Sequence, residues 1–400
     1  MKIGLVTPSW PGTKTANGIT TAVSSMAAGL KELGHDVTII TSHIDAPDDT
    51  PAVQFPEPRR WTIAERISFK LGRDIASVPV LADQIAGAVQ VAIDKHGIEV
   101  LAIEETQGWI RYLRKKLNIP IVAVLHGPWF MLSPLQKNDA AAMVNKGRIE
   151  REGAALRVCD GIVAPSQNVM TKTLAHYGLS GIPNAVIPNA VDKKPAIDLR
   201  ALNERQRKSI LFVGRFDKIK GGDLILSAFR KLVEDGTDVY LTFVGPDRGV
   251  DQPDGHRLMM DDALVALPDE VRARVDYKGL CSKDEIDEMR RRHAVAVVAS
   301  RYENFPLAVL ESLSVGVATV ATDVGGIPEI VVDGTNGLLV PKDDASAMAD
   351  ACARLLSDPS LCELLGTNAR AEIEARFSST KVAGDFVSFL TSDVLKREDA

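Results

Sequence analysis

Short apolar runs alternate with longer amphipathic stretches throughout the first half of the chain. Runs such as 100–104 (VLAIE) and 161–165 (GIVAP) are nearly continuous in apolar residues, which is typical of parallel strands buried on both faces of a sheet. The pattern predicts strands at 2–7, 36–41, 100–104, 121–126, 161–165 and 185–188, with helices at 19–33, 79–96, 107–117, 139–158 and 167–177. Repetition of this kind predicts an open, doubly wound parallel sheet.

The alternation stops at residues 192–208, which are polar and carry no strand signal, and then starts again. The second series predicts strands at 209–214, 239–244, 275–278, 295–299, 318–322 and 337–340, with helices at 221–234, 282–292, 306–315, 344–357 and 361–375. We therefore expect an α/β protein with two Rossmann-like domains, 1–195 and 196–377, facing each other across a cleft. A last helix, at about 378–400, is expected to cross back to the first domain. Ligands of such sheets bind beyond the carboxyl ends of the strands.

Composition and charge narrow the class of protein. A chain of 400 residues is too long for one typical core, which agrees with two domains. The net charge of −6, positive in residues 1–195 and negative in 196–400, argues against a nucleic-acid partner. The four cysteines form no CxxC pair, and neither a signal peptide nor an apolar run of membrane length is recognisable. We expect a cytoplasmic protein with reduced thiols.

The loop after the first strand is the first candidate phosphate site. It has no GxGxxG, so a classical NAD site is not expected. Gly12-Thr13-Lys14-Thr15 resembles the end of a Walker A motif, but Thr7 stands where that motif needs glycine, which argues against it. Gly12, Asn17 and Gly18 precede a helix, where a glycine lets phosphate approach backbone N–H groups. A plain turn explains the same residues equally well.

A second candidate follows the strand 209–214. Arg215 leaves the carboxyl end of that strand, and Lys220 comes five residues later at the start of a helix. Together they can neutralise a diphosphate, and such cations stabilise the charge that builds on a diphosphate leaving group. Without other evidence, a solvated basic turn would be the simpler explanation.

The third candidate lies between the strand 295–299 and the next helix. Glu303 precedes the helix, which is expected to begin near Pro306, and Glu311 lies eight residues further on. The first amides of the helix can hold phosphate, and carboxylates suit neighbouring sugar hydroxyls. Glu303 could instead be an exposed turn residue. That alternative is weaker for Glu311, because its neighbours are apolar and an unpaired buried carboxylate is costly.

The segment from Glu303 to Glu311 resembles the E-x7-E element of retaining GT-B glycosyltransferases of family 4, the glycosyl transferases group 1. Further segments resemble the pattern of that family in its order, and they cover most of the second domain. They are Gly214-Arg215 with Lys220-Gly221, Ile187–Asp192 with Ala190 in place of the usual glycine, Gly325–Glu329 and Gly334–Val340. The first domain is similar more loosely, through the Gly18 loop and His126-Gly127.

The resemblance implies a role for each matching residue. Arg215 and Lys220 would bind the donor diphosphate, and Glu311 would bind the ribose. Glu303 would bind hydroxyls of the transferred sugar, and His126 would face that sugar near the reacting carbon. Gly18 would bring backbone close to the phosphates. Backbone groups near Glu303 would assist it, namely those of Asn304, Phe305, Pro306 and Leu307.

The resemblance also implies a mechanism. A hexosyl-type sugar would move from a nucleoside diphosphate sugar to a hydroxyl acceptor, with retention of configuration, through a same-face displacement in which the departing phosphate takes the proton. The acceptor could be a glycan, a lipid-linked saccharide or a small molecule. No Asp-x-Asp triplet is present, so we expect neither a required metal nor any other cofactor. A UDP-sugar is the favoured donor and a GDP-sugar the second choice.

The acceptor side is less distinctive. Residues 59–73 form a basic amphipathic pattern with Arg59, Arg66, Lys70 and Arg73 on one face. Such a helix can pack on its own domain, which we favour, or lie on an anionic membrane at its cytoplasmic face. Residues 129–131, which are Trp, Phe and Met, can line an acceptor pocket or belong to the core.

Two other kinds of function stay open. A GT-B sugar-nucleotide epimerase or an inverting transferase would share the two-domain shape, but neither is expected to combine Arg215 and Lys220 with this E-x7-E element. A non-catalytic nucleotide-sugar-binding protein would keep the cations but could lose His126 or Glu303. Both residues are present.

Overall fold

A computed structural model describes residues 1–11, 18–46, 48–56, 62, 77–135, 142–252 and 254–396. Two compact units make up the chain: one holds Met1–Ala190 and the segment from Ser379 onward, and the other holds Val191–Ser378. The chain therefore leaves the first unit once and returns to it near its end.

The described strands of the first unit all belong to one parallel sheet. They are β1 (Lys2–Trp10), β2 (Asp36–Ile44), β3 (Ala52–Gln54), β4 (Val100–Glu104), β5 (Ile121–Val124), β6 (Gly161–Ala164) and β7 (Asn184–Val186). The strand order is β3-β2-β1-β4-β5-β6-β7, so the direction of winding reverses between β1 and β4. Every residue of β4 and β6 is buried, as the continuous apolar runs predict.

Helices cover this sheet and bury its apolar residues. They are Gly18–Glu32, Ser77–His96, Ile110–Leu113, Trp129–Leu132, Ala142–Leu156, Gln167–Tyr177 and Ser379–Phe389. The helix Ser379–Phe389 packs against Gly18–Glu32, and it contributes Phe386 and Phe389 to the core of the unit. This contact anchors the returning end of the chain.

The second unit repeats the parallel arrangement. Its strands are β8 (Ser209–Val213), β9 (Tyr240–Val244), β10 (Val250–Asp251), β11 (Arg257–Leu258), β12 (Val275–Gly279), β13 (Val295–Val298), β14 (Ala318–Thr322) and β15 (Leu338–Val340). Among the described residues, the main sheet has the order β12-β9-β8-β13-β14-β15, and β10 and β11 form an antiparallel hairpin. The winding reverses between β8 and β13. Two doubly wound α/β sheets confirm the predicted fold class.

The helices of the second unit lie on its main sheet and on its flanking loops. They are Glu204–Arg207, Gly222–Glu234, Met260–Val265, Asp269–Arg272, Lys283–Arg290, Leu307–Val315, Ala345–Ser357 and Pro359–Glu372. Two apolar clusters form the core, and the smaller one includes Phe305, Leu310 and Phe377. In the described part of the chain, no helix has the length and apolar character needed to cross a bilayer.

Two predicted stretches differ from the structure, and the short strands β3, β10 and β11 were not predicted. The predicted linker 192–208 contains the short helix Glu204–Arg207, which a capping box of Asn203 and Gln206 starts. The predicted helix 107–117 is broken into a 3-10 turn at Thr106–Gly108 and a helix at Ile110–Leu113. The break follows from Gln107 at φ 59° and Gly108 at φ 73°, since left-handed residues cannot continue a right-handed helix.

Candidate functional site

The loop after β8 carries the two predicted cations, and Asp217 fixes its shape. Arg215 donates from Nε to Oδ2 of Asp217 at 2.5 Å. The backbone N–H of Lys220 donates to Oδ1 of the same carboxylate at 2.7 Å. The side chains of Arg215 and Lys220 are 42% and 30% exposed, so an anion in solution can reach both.

Gly221 lets this loop approach the end of β13 closely. Its φ is 73°, and a Cβ atom there would lie 1.9 Å from the carbonyl oxygen of Ala299. A side chain at this position would therefore be both strained and in collision with backbone. The helix Gly222–Glu234 begins at the next residue, so the close approach determines where Lys220 projects.

Lys220 reaches the loop that follows β13 and pairs with Glu303. Its Nζ lies 2.6 Å from Oε1 of Glu303, and Oγ of Ser300 donates to the same oxygen at 2.7 Å. Glu303 is buried, yet its Oε2 accepts no hydrogen bond from the described residues. The direction of winding of the sheet reverses between β8 and β13. Ligands of open α/β sheets bind at the carboxyl ends of the strands where the winding reverses.

The loop after β14 supports Glu303 through its backbone. The N–H of Gly326 donates to the carbonyl oxygen of Glu303 at 3.1 Å. Gly325 has φ 57°, and a Cβ atom there would lie 1.8 Å from that carbonyl oxygen. Three consecutive loops of the sheet thus hold Glu303 in place.

Arg301 ties the Lys220 loop to the Glu303 loop. Its Nη1 and Nη2 donate to the two carboxylate oxygens of Asp223 at 2.6 and 2.9 Å, and Nη1 also donates to the carbonyl oxygen of Lys218 at 2.7 Å. On its other side, Nε pairs with Asp343. A guanidinium shared among these groups restricts the movement of one loop against the other.

The helix Leu307–Val315 begins one residue later than the sequence suggests. Pro306 is its N-cap residue, with extended backbone angles, and no side chain caps the helix from that position. Phe305 and Pro306 are buried, and Phe305 belongs to the smaller core cluster, while Leu307 is half-buried. Tyr302 donates to Oδ1 of Asn304 at 2.6 Å, which orients the Asn304 side chain.

Glu311 lies one turn into this helix and pairs with Arg290. Nη2 of Arg290 donates to Oε2 of Glu311 at 2.6 Å. The Glu311 side chain is 18% exposed, whereas Arg290 is almost completely buried. The apolar neighbours that the sequence shows are therefore only part of the environment of Glu311, since a buried cation neutralises it.

His126 lies in the first unit, two residues beyond the end of β5, where a buried carboxylate holds its backbone. The N–H groups of His126 and Gly127 donate to the two oxygens of Glu105 at 2.9 and 2.8 Å. Burial, followed by the nearby carboxylate of Glu152, raises the pKa of Glu105 to about 8. Burial lowers the pKa of His126 to about 4, so its imidazole is neutral at pH 7.

A small cavity of about 60 Å³ borders His126 within the first unit. Its lining is mostly apolar and includes Met26, Ile103 and Phe386. Glu104 also lines it, and burial raises the pKa of this carboxyl to about 6. A polar acid and a neutral imidazole thus lie beside an apolar space.

The remaining predicted residues are placed as follows. Gly18 is exposed and is the first residue of the helix Gly18–Glu32. Gly12 and Asn17 lie outside the described residues, as does the segment 59–73 apart from Thr62. Residues 129–131 begin the helix Trp129–Leu132, in which Met131 is buried. The four cysteines are free thiols, and among the described residues no group of three or more His, Cys, Asp or Glu side chains could hold a metal ion.

The sequence pattern missed five polar residues that position the predicted ones. Asp217 and Ser300 lie within three residues of a predicted site residue, so a search for local side-chain contacts could have found them. Arg301 also lies close in sequence, two residues before Glu303, but the carboxylates that it joins are 42 and 78 residues away. Arg290 and Glu105 are each 21 residues from the site residue that they hold, and both are buried.

Two family profiles divide the chain between them. The profile described as "Glycosyl transferases group 1" matches residues 196–372. The profile described as "Glycosyltransferase Family 4" matches residues 16–194. Their junction falls close to the point where the second unit begins.

Two individual proteins that resemble this chain are also named as glycosyltransferases. An alpha-D-kanosaminyltransferase from Streptomyces kanamyceticus is 34% identical over 45% of this chain and 44% of its own length. A D-inositol 3-phosphate glycosyltransferase from Streptomyces bingchenggensis is 28% identical over 69% of this chain and 62% of its own length. The matches therefore span less than two thirds of these two relatives.

Among solved structures, HepE from Anabaena in complex with UDP has a similar fold. It superposes with a TM-score of 0.70 at 18% identity, over 98% of this chain and 100% of that chain. At this identity the similarity concerns the fold alone.

Proposed function

Because the chain belongs to the glycosyl transferases group 1 family, we propose that it transfers a hexosyl-type sugar from a nucleoside diphosphate sugar to a hydroxyl acceptor with retention of configuration. The observation that carries this proposal is a feature shared by Glu303 and Glu311. In each carboxylate a cation anchors one oxygen, and the other oxygen accepts no hydrogen bond from the described residues. The second oxygens are therefore available to sugar hydroxyls, that of Glu303 to the transferred sugar and that of Glu311 to the ribose.

The donor diphosphate is assigned to Arg215 and Lys220. Arg215 uses only Nε for Asp217, which leaves the Nη donors of its guanidinium for phosphate. An ammonium has three donors, so Lys220 can hold Glu303 and a phosphate oxygen together. The first turn of the helix Leu307–Val315 adds its positive end, because Pro306 offers no side-chain acceptor.

In the proposed step, the bond between the anomeric carbon and the β-phosphate oxygen breaks while a bond to the acceptor oxygen forms on the same face. The proton of the acceptor moves to the departing phosphate. Negative charge builds on the diphosphate, so Arg215 and Lys220 stabilise the transition state more than the ground state. The family resemblance assigns the neutral His126 to the transferred sugar and Gly18 to the phosphates.

UDP is the proposed nucleotide and GDP the second candidate. Support for UDP comes from the HepE structure, which was solved with UDP. The acceptor is assigned only as a hydroxyl compound, of the glycan, lipid-linked saccharide or small-molecule class.

A thermal-shift panel of UDP-, GDP- and ADP-sugars tests the donor assignment. A ligand at 100 times its Kd stabilises the folded state by about 2.7 kcal/mol, which is easily measured as a higher Tm. We expect one nucleotide class to raise Tm at micromolar to millimolar concentration. If none of these sugars raises Tm, the proposal is wrong.

Nucleotide release separates an enzyme from a binding protein. We expect slow hydrolysis of the selected donor in the absence of acceptor, measured as free nucleoside diphosphate. A donor that binds but stays intact would favour a non-catalytic binding protein. Isolation of an epimeric sugar, in place of free sugar or glycoside, would favour the epimerase alternative.

A further inference from the structure

Arg290 is a buried cation beside the carboxylate that the proposed function assigns to ribose. It is the last residue of the helix Lys283–Arg290, and its side chain is 1% exposed. Nη1 donates to Oδ1 of Asp287 at 2.8 Å, and Nη2 donates to Oε2 of Glu311 at 2.6 Å. Lys194 lies on the far side of Asp287, with Nζ 3.5 Å from Oδ2.

Stability alone is a poor explanation for this arrangement. Removing a guanidinium from water is costly, and apolar side chains of similar volume often serve a core equally well or better. Nε of Arg290 is buried and has no hydrogen-bond partner among the described residues, which adds to the cost. The contact with Glu311 therefore points to a role in holding that carboxylate.

The pair holds Glu311 at one oxygen only. A glutamate on a helix can rotate about three side-chain bonds, but a charge-assisted bond to a fixed guanidinium removes most of that freedom. Arg290 is itself fixed, because Asp287 holds its other terminal nitrogen one turn earlier in the same helix. Oε1 of Glu311 accepts no hydrogen bond from the described residues, and the side chain reaches the surface with 18% exposure.

We propose that Arg290 is a positioning residue that presents Oε1 of Glu311 to a ribose hydroxyl of the donor. This inference rests on the proposed function, which assigns Glu311 to the ribose. Arg290 does not touch the donor, since it is buried beneath the carboxylate. Its effect is to orient an acceptor for one ribose hydroxyl before the nucleotide arrives.

The test compares UDP with its 2′-deoxy and 3′-deoxy analogues by isothermal titration calorimetry on the full-length protein. A hydrogen bond to a charged group contributes enough that wild type is expected to bind one analogue about tenfold to hundredfold more weakly than UDP. In Arg290→Lys, which keeps the charge but loses the fork that joins Asp287 to Glu311, this ratio is expected to fall to a few-fold. If Arg290→Lys does not fold, Arg290→Gln carries the same expectation.

Arg291→Lys is the matched control, because Arg291 is the next residue and also pairs with an acid three residues earlier, Glu288. It is expected to keep the wild-type ratio. A purely structural role of Arg290 would weaken UDP and its analogues by the same factor, and an unchanged ratio in Arg290→Lys would overturn the inference.

A failure of the proposed function would give a different experimental result. If wild type does not bind UDP or any other nucleoside diphosphate, the donor assignment itself is wrong. If wild type binds UDP but Glu311→Gln has the same deoxy ratio as wild type, Glu311 does not read the ribose, and the role of Arg290 falls with it.

Discussion

Glu303 contacts Lys220 and Ser300 through a single oxygen, Oε1. Its effect on turnover can therefore be separated from its effect on the binding of UDP. We expect Glu303→Ala to lower kcat by about a hundredfold to a thousandfold, as loss of one transition-state contact typically does. Binding of bare UDP is expected to stay equal or tighten, because Lys220 loses its 2.6 Å counter-ion and becomes more attractive to phosphate. Kinetics with the donor and calorimetry with UDP measure the two effects.

The control for this experiment is Glu363→Ala, which removes an exposed carboxylate from the same unit. It is expected to change neither quantity. Equal losses of turnover and UDP affinity in Glu303→Ala would give Glu303 a different role from the one proposed.

Glu105 makes the stability of the protein depend on pH in a direction opposite to that of an ion-paired acid. Its pKa is raised from 4.5 to about 8 in the folded chain. Between these pH values the folded state keeps a proton that the unfolded state releases, so the free energy of unfolding falls as pH rises. Glu104 and Glu152 act in the same direction, because burial raises the pKa of each carboxyl.

Urea unfolding at a series of pH values tests this effect. We expect Glu105→Gln to show a shallower fall of the unfolding free energy between pH 4.5 and about 8 than wild type. Glu150→Gln is the control, since Glu150 is exposed on the helix that carries Glu152. Identical slopes in wild type and Glu105→Gln would contradict the raised pKa of Glu105.

At the scale of elements, continuous apolar runs located the strands well and short edge elements poorly. The predicted strands 100–104 and 318–322 match β4 and β14 completely, since every residue of both is buried. β3 was missed because it is a half-exposed edge strand of three residues. The hairpin of β10 and β11 was missed because two-residue strands leave no periodic signal.

Arg301 forms a cluster with Asp223, Asp343 and the carbonyl oxygen of Lys218, and this Arg301 cluster is one of the connections between the elements that carry Lys220 and Glu303. The Arg301 side chain is 15% exposed and that of Asp223 30%, so the pair is partly shielded from water. We expect Arg301→Gln to lower the free energy of unfolding by about 2 kcal/mol, because it leaves Asp223 without its bidentate partner. We also expect a lower kcat, since the two loops can then move apart.

Arg257→Gln is the matched control for this prediction. Arg257 also pairs with an aspartate, Asp251, but both side chains are about 60% exposed. Exposed pairs contribute less than about 1 kcal/mol. If the two variants lose the same stability in urea unfolding, the Arg301 cluster does not connect the loops in the way described.

At the scale of the whole molecule, the sequence was enough to nominate candidate site residues, whereas the contacts that hold them depend on the fold. Glu303 and Glu311 could be nominated because their spacing is local and falls at a strand end and a helix start. Arg290 could not be assigned, because its contact with Glu311 depends on how two helices pack. Glu105 could not be assigned either, because an acidic residue at the end of a strand is usually expected to be exposed. In the structure, its carboxylate accepts hydrogen bonds from two backbone amides.

The positive groups of the proposed donor site bear on whether a metal is needed to neutralise the leaving diphosphate. In many phosphoryl and glycosyl sites a divalent cation neutralises the leaving diphosphate. Here Arg215 and Lys220 lie at the carboxyl end of one strand, and the start of the helix Leu307–Val315 follows the neighbouring strand. These two side-chain cations and a helix terminus can supply the same kind of electrostatic stabilisation.

We therefore expect activity with the selected donor to survive EDTA, measured as nucleotide release over time before and after chelation and dialysis. Lys220→Ala serves as the comparison, because it removes one of the two cations that we expect to act in place of a metal. Its kcat is expected to fall by about a hundredfold, and added Mg²⁺ is expected to restore part of that loss by binding the exposed diphosphate. Loss of wild-type activity in EDTA that Mg²⁺ restores would show that the side-chain cations are not sufficient.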